Sequence, residues 1–175
     1  MQYKFKNSLF YKILISIFFI ISCNESQKET ISKNGMVSSA HPIASKVGID
    51  ILKNGGNAFD AAIGVHFALS VVYPNAGNIG GGGFAVYRLS DGEVGSLDFR
   101  EKAPIKSYRD MYISNSEDES IVDDKKSKIG HLASGVPGSV DGMVKLHEKF
   151  GLLDWKLLLQ PSIDLAKNGF NITLK

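Results

Sequence analysis

The stretch from Ala58 to Val72 (AFDAAIGVHFALSVV) limits the fold more than any other part of the sequence. Read as a helix, it is apolar nearly all round, with Phe59, Ala62, Ile63, Val65, Phe67, Leu69 and Val71 on different sides. A helix of that kind needs cover on more than one face, so it belongs inside a layered fold. Asn57 is placed to cap it, and Tyr73-Pro74 ends it. Before it, Pro42 to Lys53 reads as an amphipathic helix. Ile43, Val47 and Ile51 lie four apart, Pro42 suits the first turn, and Asn54-Gly55-Gly56 stops the run. After it, Phe84 to Leu89 and Val94 to Phe99 read as strands of a hairpin turned by Ser90-Asp91-Gly92-Glu93, because Asp-Gly favours positive φ. Residues 107–128 are polar and predict a surface excursion or a short exposed helix. A third helix fits Ser139 to Phe150, with Ser139 as cap and Gly151 as stop. A fourth fits Asp154 to Lys167, divided or kinked by Pro161 and closed by Asn168-Gly169. There is no internal repeat, and the mixture of helices and strands predicts an α/β (α+β) chain.

The N-terminus reads differently. Lys4, Lys6 and Lys12 precede the apolar run Ile13 to Ile21, which is too short to cross a hydrocarbon core of ~30 Å as a helix. The run ends in Ile20-Ile21-Ser22-Cys23, and Cys23 is the only cysteine in the chain. The pattern resembles a bacterial lipobox. It predicts a signal peptide over residues 1–22, cleavage before Cys23, and acylation of that thiol and of the new amino terminus. Residues 24–34 are polar and read as a tether. The expected location is therefore outside the cytoplasm, lipid-anchored to a bacterial membrane on the periplasmic or cell-surface side. Three of the 20 basic residues lie in the signal, leaving 17 against 18 acidic residues, a net charge of −1. A body this close to neutral argues against a nucleic-acid partner. With one cysteine there is no disulfide framework and no Cys-based zinc site, and the four histidines show no metal spacing.

Few positions offer chemistry. Gly80-Gly81-Gly82-Gly83 follows a helix and opens a strand, the reverse of a dinucleotide-binding context, and no Gly-Lys-Ser/Thr is present. Bare backbone for close packing is the better account. His66 lies inside the apolar helix and reads as a satisfied core histidine. Residues 134–139 (SGVPGS) do not form a nucleophile elbow. Arg100, one of three arginines, stands at the end of the second strand in Asp98-Phe99-Arg100-Glu101-Lys102-Ala103-Pro104. It is placed either to grip a carboxylate with two parallel hydrogen bonds or to form an ordinary surface ion pair.

Six motifs in order carry a resemblance: residues 36–41 (MVSSAH), 54–62 (NGGNAFDAA), 78–84 (NIGGGGF), 98–104 (DFREKAP), 135–139 (GVPGS) and 161–166 (PSIDLA). Together, over residues 36–175, they look like the N-terminal part of a gamma-glutamyltranspeptidase large subunit. The resemblance implies an Ntn-hydrolase with a stacked αββα sandwich, of which this chain is a truncated N-terminal portion. With the lipobox reading, the expected organisation is a signal over 1–22, a lipidated Cys23 with tether over 23–35, and the large-subunit portion over 36–175. The resemblance also implies γ-glutamyl transfer or hydrolysis, with glutathione as the usual donor, no cofactor and no metal. In that family a precursor cleaves itself, and the new N-terminal threonine of the small subunit attacks the γ-glutamyl amide. The arginine of D-F-R-E-x-A-P pairs with the α-carboxylate of the γ-glutamyl group, here Arg100, with Glu101 in a supporting role.

The threonine, the oxyanion-hole glycines and the groups for the α-amino end belong to the small subunit, and none matches a residue here. The isolated chain is therefore expected to be inactive, to expose sheet edges and apolar surface, and to be poorly stable. The expected partners are a γ-glutamyl substrate, a small subunit with the catalytic threonine, and a membrane through the lipid. The alternative is a non-catalytic lipoprotein remnant or partner chain.

Overall fold

The computed structural model describes residues 31–113 and 124–172. The chain divides into two units, Met1–Asn34 and Gly35–Lys175, and all the described elements lie in the second. Cys23 and residues 1–22, where a signal is expected, lie outside the described residues. Among the described residues no helix is long and apolar enough to cross a membrane.

Helix α1 (Pro42–Lys53) follows His41, whose Nδ1 accepts from the Ile43 amide at 3.2 Å. Sequence reading gave His41 no role; it is a helix cap. The α1 face carrying Ala44, Val47, Gly48 and Ile51 is buried. Gly55, at φ 93°, turns the chain, and Gly56 returns its amide to the Ile51 carbonyl at 3.0 Å. Helix α2 (Ala58–Val72) then packs back on α1. The two approach closely because Gly48 and Gly64 present no side chain. A methyl at Gly48 would meet Val65 at 2.7 Å, and one at Gly64 would overlap Ile51. Ile63 and Ala68 of α2 are fully buried, but Ala58 and Ala62 remain exposed, so one side of this apolar helix is open.

Strands β1 (Phe84–Arg88) and β2 (Val94–Asp98) form an antiparallel pair with Phe84 opposite Asp98, Val86 opposite Ser96 and Arg88 opposite Val94. The expected Asp-Gly turn is present, with Gly92 at φ 95° and the Asp91 carboxylate accepting from the Glu93 amide at 2.9 Å. Alternation splits the hairpin cleanly. Ala85, Tyr87 and Leu97 face the helices and are half-buried, while Phe84, Val86 and Val94 are exposed. Neither strand has another sheet partner among the described residues. Of the polar stretch 107–128, residues 114–123 lie outside the described residues, and the rest holds turns and a five-residue helix α3 (Asp124–Lys128).

Helices α4 (Ser139–Phe150) and α5 (Trp155–Asn168) complete the fold. Two expectations are corrected here. Ser139 is not a cap: α4 begins on it, after Gly138, with no side-chain cap. The Gly138 and Ser139 amides instead donate to the Gly81 carbonyl at 2.8 and 3.0 Å, so backbone does what a side chain does elsewhere. Pro161 does not divide α5, which runs through it from the Asp154 cap to Gly169 at φ 76°. Packing against α2 holds the helix across the proline, with Leu158 and Ser162 buried on either side of it.

Candidate functional site

The site is built around the chain leaving β2. The ladder runs one pair past the strands, with the Phe99 amide donating to the Gly83 carbonyl at 2.9 Å and the Gly83 amide returning at 3.4 Å. Phe99 turns inward and is 7% exposed, its ring seated against Gly83 and Gly142. On one side of the segment, Gly82 lies flat: a methyl there would stand 2.7–2.8 Å from the Phe99 carbonyl, the Arg100 Cα and the Glu101 amide. On the other side, Gly138 presses on the Phe99 carbonyl so closely that a methyl would overlap it. A bridge between Lys102 and Val136, with hydrogen bonds of 3.1 and 2.8 Å, extends that second flank. The segment from Phe99 to Lys102 is thus held between residues 81–83 and residues 135–138. Gly82 and Gly83 serve close packing, as the order of the run after a helix and before a strand suggested, while Gly80 stands in open space and Gly81 meets only the Asn78 side chain.

Arg100 emerges from this clamp. The Asp98 carboxylate accepts from the Arg100 amide at 2.9 Å and turns the chain at the strand end. The Arg100 side chain is 65% exposed. Its Nε stands 3.9 Å from Glu101 Oε2, a loose ion pair, and its guanidinium lies over the Phe84 ring, 5.8 Å from the centroid. Among the described residues the guanidinium makes no hydrogen bond. Its N–H groups are therefore available to a planar anion such as a carboxylate. Beside Glu101 an open groove of about 540 Å³ is lined by Lys102, Tyr108, Arg109, Tyr112 and Ser134 among others. No cluster of three or more His, Cys, Asp or Glu able to hold a metal occurs among the described residues.

A second constellation, of which sequence reading found only the Asn57 cap, lies at the start of α2. Asn57 and Asp60 form a capping box at the start of α2, and Asp60 is fully buried. Its carboxylate also accepts from the Leu152 amide at 3.2 Å, and Asn57 Nδ2 donates to the Phe150 carbonyl at 2.6 Å. Asn57 and Asp60 therefore tie α2 to the α4–α5 turn, which is architecture rather than chemistry. The signal was available as Asn57 three residues before Asp60. His66 corrects another expectation. It is a half-buried histidine but not a satisfied one, because its Nε2 is buried without a partner among the described residues. Burial holds its pKa below the ordinary value.

The gamma-glutamyltranspeptidase family model matches residues 44–175. The chain belongs to the gamma-glutamyltranspeptidase family. It is 47% identical over 171 residues to the glutathione hydrolase proenzyme of Pseudomonas sp. (strain A14), covering 94% of this chain and 29% of that protein. To the glutathione hydrolase proenzyme of Escherichia coli (strain K12) it is 48% identical over 139 residues, covering 79% of this chain and 23% of that protein. The crystal structure of Helicobacter pylori gamma-glutamyltranspeptidase superposes with a TM-score of 0.75 at 48% identity, over 81% of this chain and 40% of that one. The mixed helix-and-strand fold is thus that of a gamma-glutamyltranspeptidase, an Ntn-hydrolase, and this chain covers part of it. It spans less than a third of the length of the two curated family members. Three family motifs, at residues 78–84, 98–104 and 135–139, converge on the backbone of Arg100.

Proposed function

We propose that this chain supplies the γ-glutamyl-carboxylate clamp of an enzyme that hydrolyses or transfers the γ-glutamyl group of glutathione and related amides. The observation that carries the reading is the open guanidinium of Arg100 on a backbone pinned from both sides. Two parallel N–H donors from Arg100 hold the donor's α-carboxylate, and Glu101 steadies the guanidinium from its Nε side. Fixing that end of the donor brings its distant γ-carbonyl to the nucleophile in a reactive orientation. The nucleophile is the threonine that heads the small subunit, in a part of the enzyme outside this chain, with its own α-amino group as base. The threonine oxygen bonds the carbonyl carbon of the γ-glutamyl amide, the C–N bond breaks, the amine leaves with the proton, and water or an acceptor amine resolves the acyl-enzyme. The proenzyme names of the curated family members support a self-cleaving precursor. Cys23 carries the lipid that anchors the enzyme outside the cytoplasm, and its replacement by serine should abolish labelling by radioactive palmitate.

The test is Arg100→Ala in the complete enzyme. Losing a charge-assisted pair of hydrogen bonds should raise the donor KM about 10- to 100-fold, with self-cleavage intact. Unchanged donor KM would reject the clamp. A stop codon after Lys175 with no small-subunit gene nearby would instead make the chain a non-catalytic lipoprotein.

A further inference from the structure

Arg100 needs more than a pinned backbone to present its guanidinium in one orientation. A long side chain with so much exposure samples many rotamers unless something beneath it selects one. The register shows what does. Phe84 pairs with Asp98 and Gly83 with Phe99, so the next position brings Arg100 opposite Gly82. Gly82 offers no side chain. Alternation puts Arg100 on the same face as Asp98 and Phe84, with Phe84 as its diagonal cross-strand neighbour. The guanidinium sits 5.8 Å from that ring's centroid, within cation–π reach. Glu101 Oε2, at 3.9 Å from Nε, closes one flank.

From this geometry we infer that Phe84 is a positioning residue for Arg100. Its ring is a platform that orders the guanidinium before the donor arrives and leaves the outer N–H groups free. The inference rests on the reading of Arg100 as the carboxylate clamp. The test takes three variants of the complete enzyme, Phe84→Leu, Phe84→Trp and Arg100→Ala, beside wild type. Leucine keeps apolar bulk and removes the π face, so Phe84→Leu should raise donor KM about 3- to 10-fold with kcat retained, and Phe84→Trp should restore it. If Arg100→Ala leaves KM unchanged, the clamp itself fails, whatever Phe84 does. If Arg100→Ala raises KM while Phe84→Leu matches wild type, the platform fails alone. Equal KM increases in the leucine and tryptophan variants would also overturn it, since packing and not the π face would then matter.

A readout independent of activity uses the complete enzyme labelled with ¹⁵N-arginine. The Arg100 guanidinium Nε signal is assigned by its loss in Arg100→Ala. The ring should shift the Arg100 signal from the position it takes in Phe84→Leu, and Phe84→Trp should retain a shift. An Arg100 signal identical in wild type and Phe84→Leu would overturn the inference.

Discussion

At the scale of single residues, Arg100 and His66 are opposites. Arg100 keeps its polar atoms in the open, while His66 has Nε2 buried with no partner among the described residues. Burial favours the neutral imidazole and lowers its pKa from the ordinary 6.5. Above 6.5 the histidine is neutral in both folded and unfolded chains, and its neutral burial contributes fully. As the pH drops below 6.5 the unfolded chain takes up a proton that the folded chain refuses, so stability falls with acidification. Thermal unfolding followed across that range should show Tm declining below pH 6.5, with a shallower decline in His66→Gln. Equal slopes in the two proteins would show that His66 does not carry the effect. The helical pattern located this histidine correctly, because spacing reports which face a residue occupies. Whether its ring nitrogen finds a partner depends on neighbours that spacing does not specify.

At the scale of elements, the start of α2 is the most heavily used terminus in the fold. Asp60 accepts from the Asn57 amide at 3.0 Å and from Leu152 across the α4–α5 turn. Asp60→Ala leaves two amide donors in a buried site without partners, and should lower stability by about 2 kcal/mol or more in urea unfolding. Asp60→Asn, which keeps an acceptor oxygen, should lose less; equal losses would mean that volume and not hydrogen bonding matters. The helices themselves were readable in the sequence, because Pro42, Asn57, Gly151 and Gly169 punctuate them and Phe84–Arg88 alternates. Failures came where distant backbone replaced a local signal. Ser139 has the chemistry of a cap, but the Gly81 carbonyl takes its amide. Pro161 has the chemistry of a breaker, but Leu158 and Ser162 are buried on the helix it interrupts. Arg100 could be singled out by residue type and family motif, yet the glycines that hold it come from stretches more than 50 residues apart in sequence. No local window reports such a convergence.

At the scale of the whole molecule, the hairpin presents Phe84, Val86 and Val94 outward beside sheet edges with no further partner among the described residues. Val86 is 86% exposed. An apolar strand face next to open edges favours association. The 175-residue chain should therefore enlarge with concentration in light scattering, and Val86→Lys with Val94→Lys should suppress this while leaving the helices intact by circular dichroism. Concentration-independent size in the unsubstituted chain would show that this face is not adhesive. The Asp60 tether has a consequence in time as well. Leu152 is made 92 residues after Asp60, so on the ribosome α1 and α2 can pair long before the carboxylate receives the amide it is buried against. Closing a loop of that length costs about 4 kcal/mol of chain entropy, which only the arrival of α4 and α5 offsets. The helical half of this protein is begun early and locked late, and a pause in translation before residue 152 would leave the Asp60 side chain without the Leu152 amide it meets in the fold.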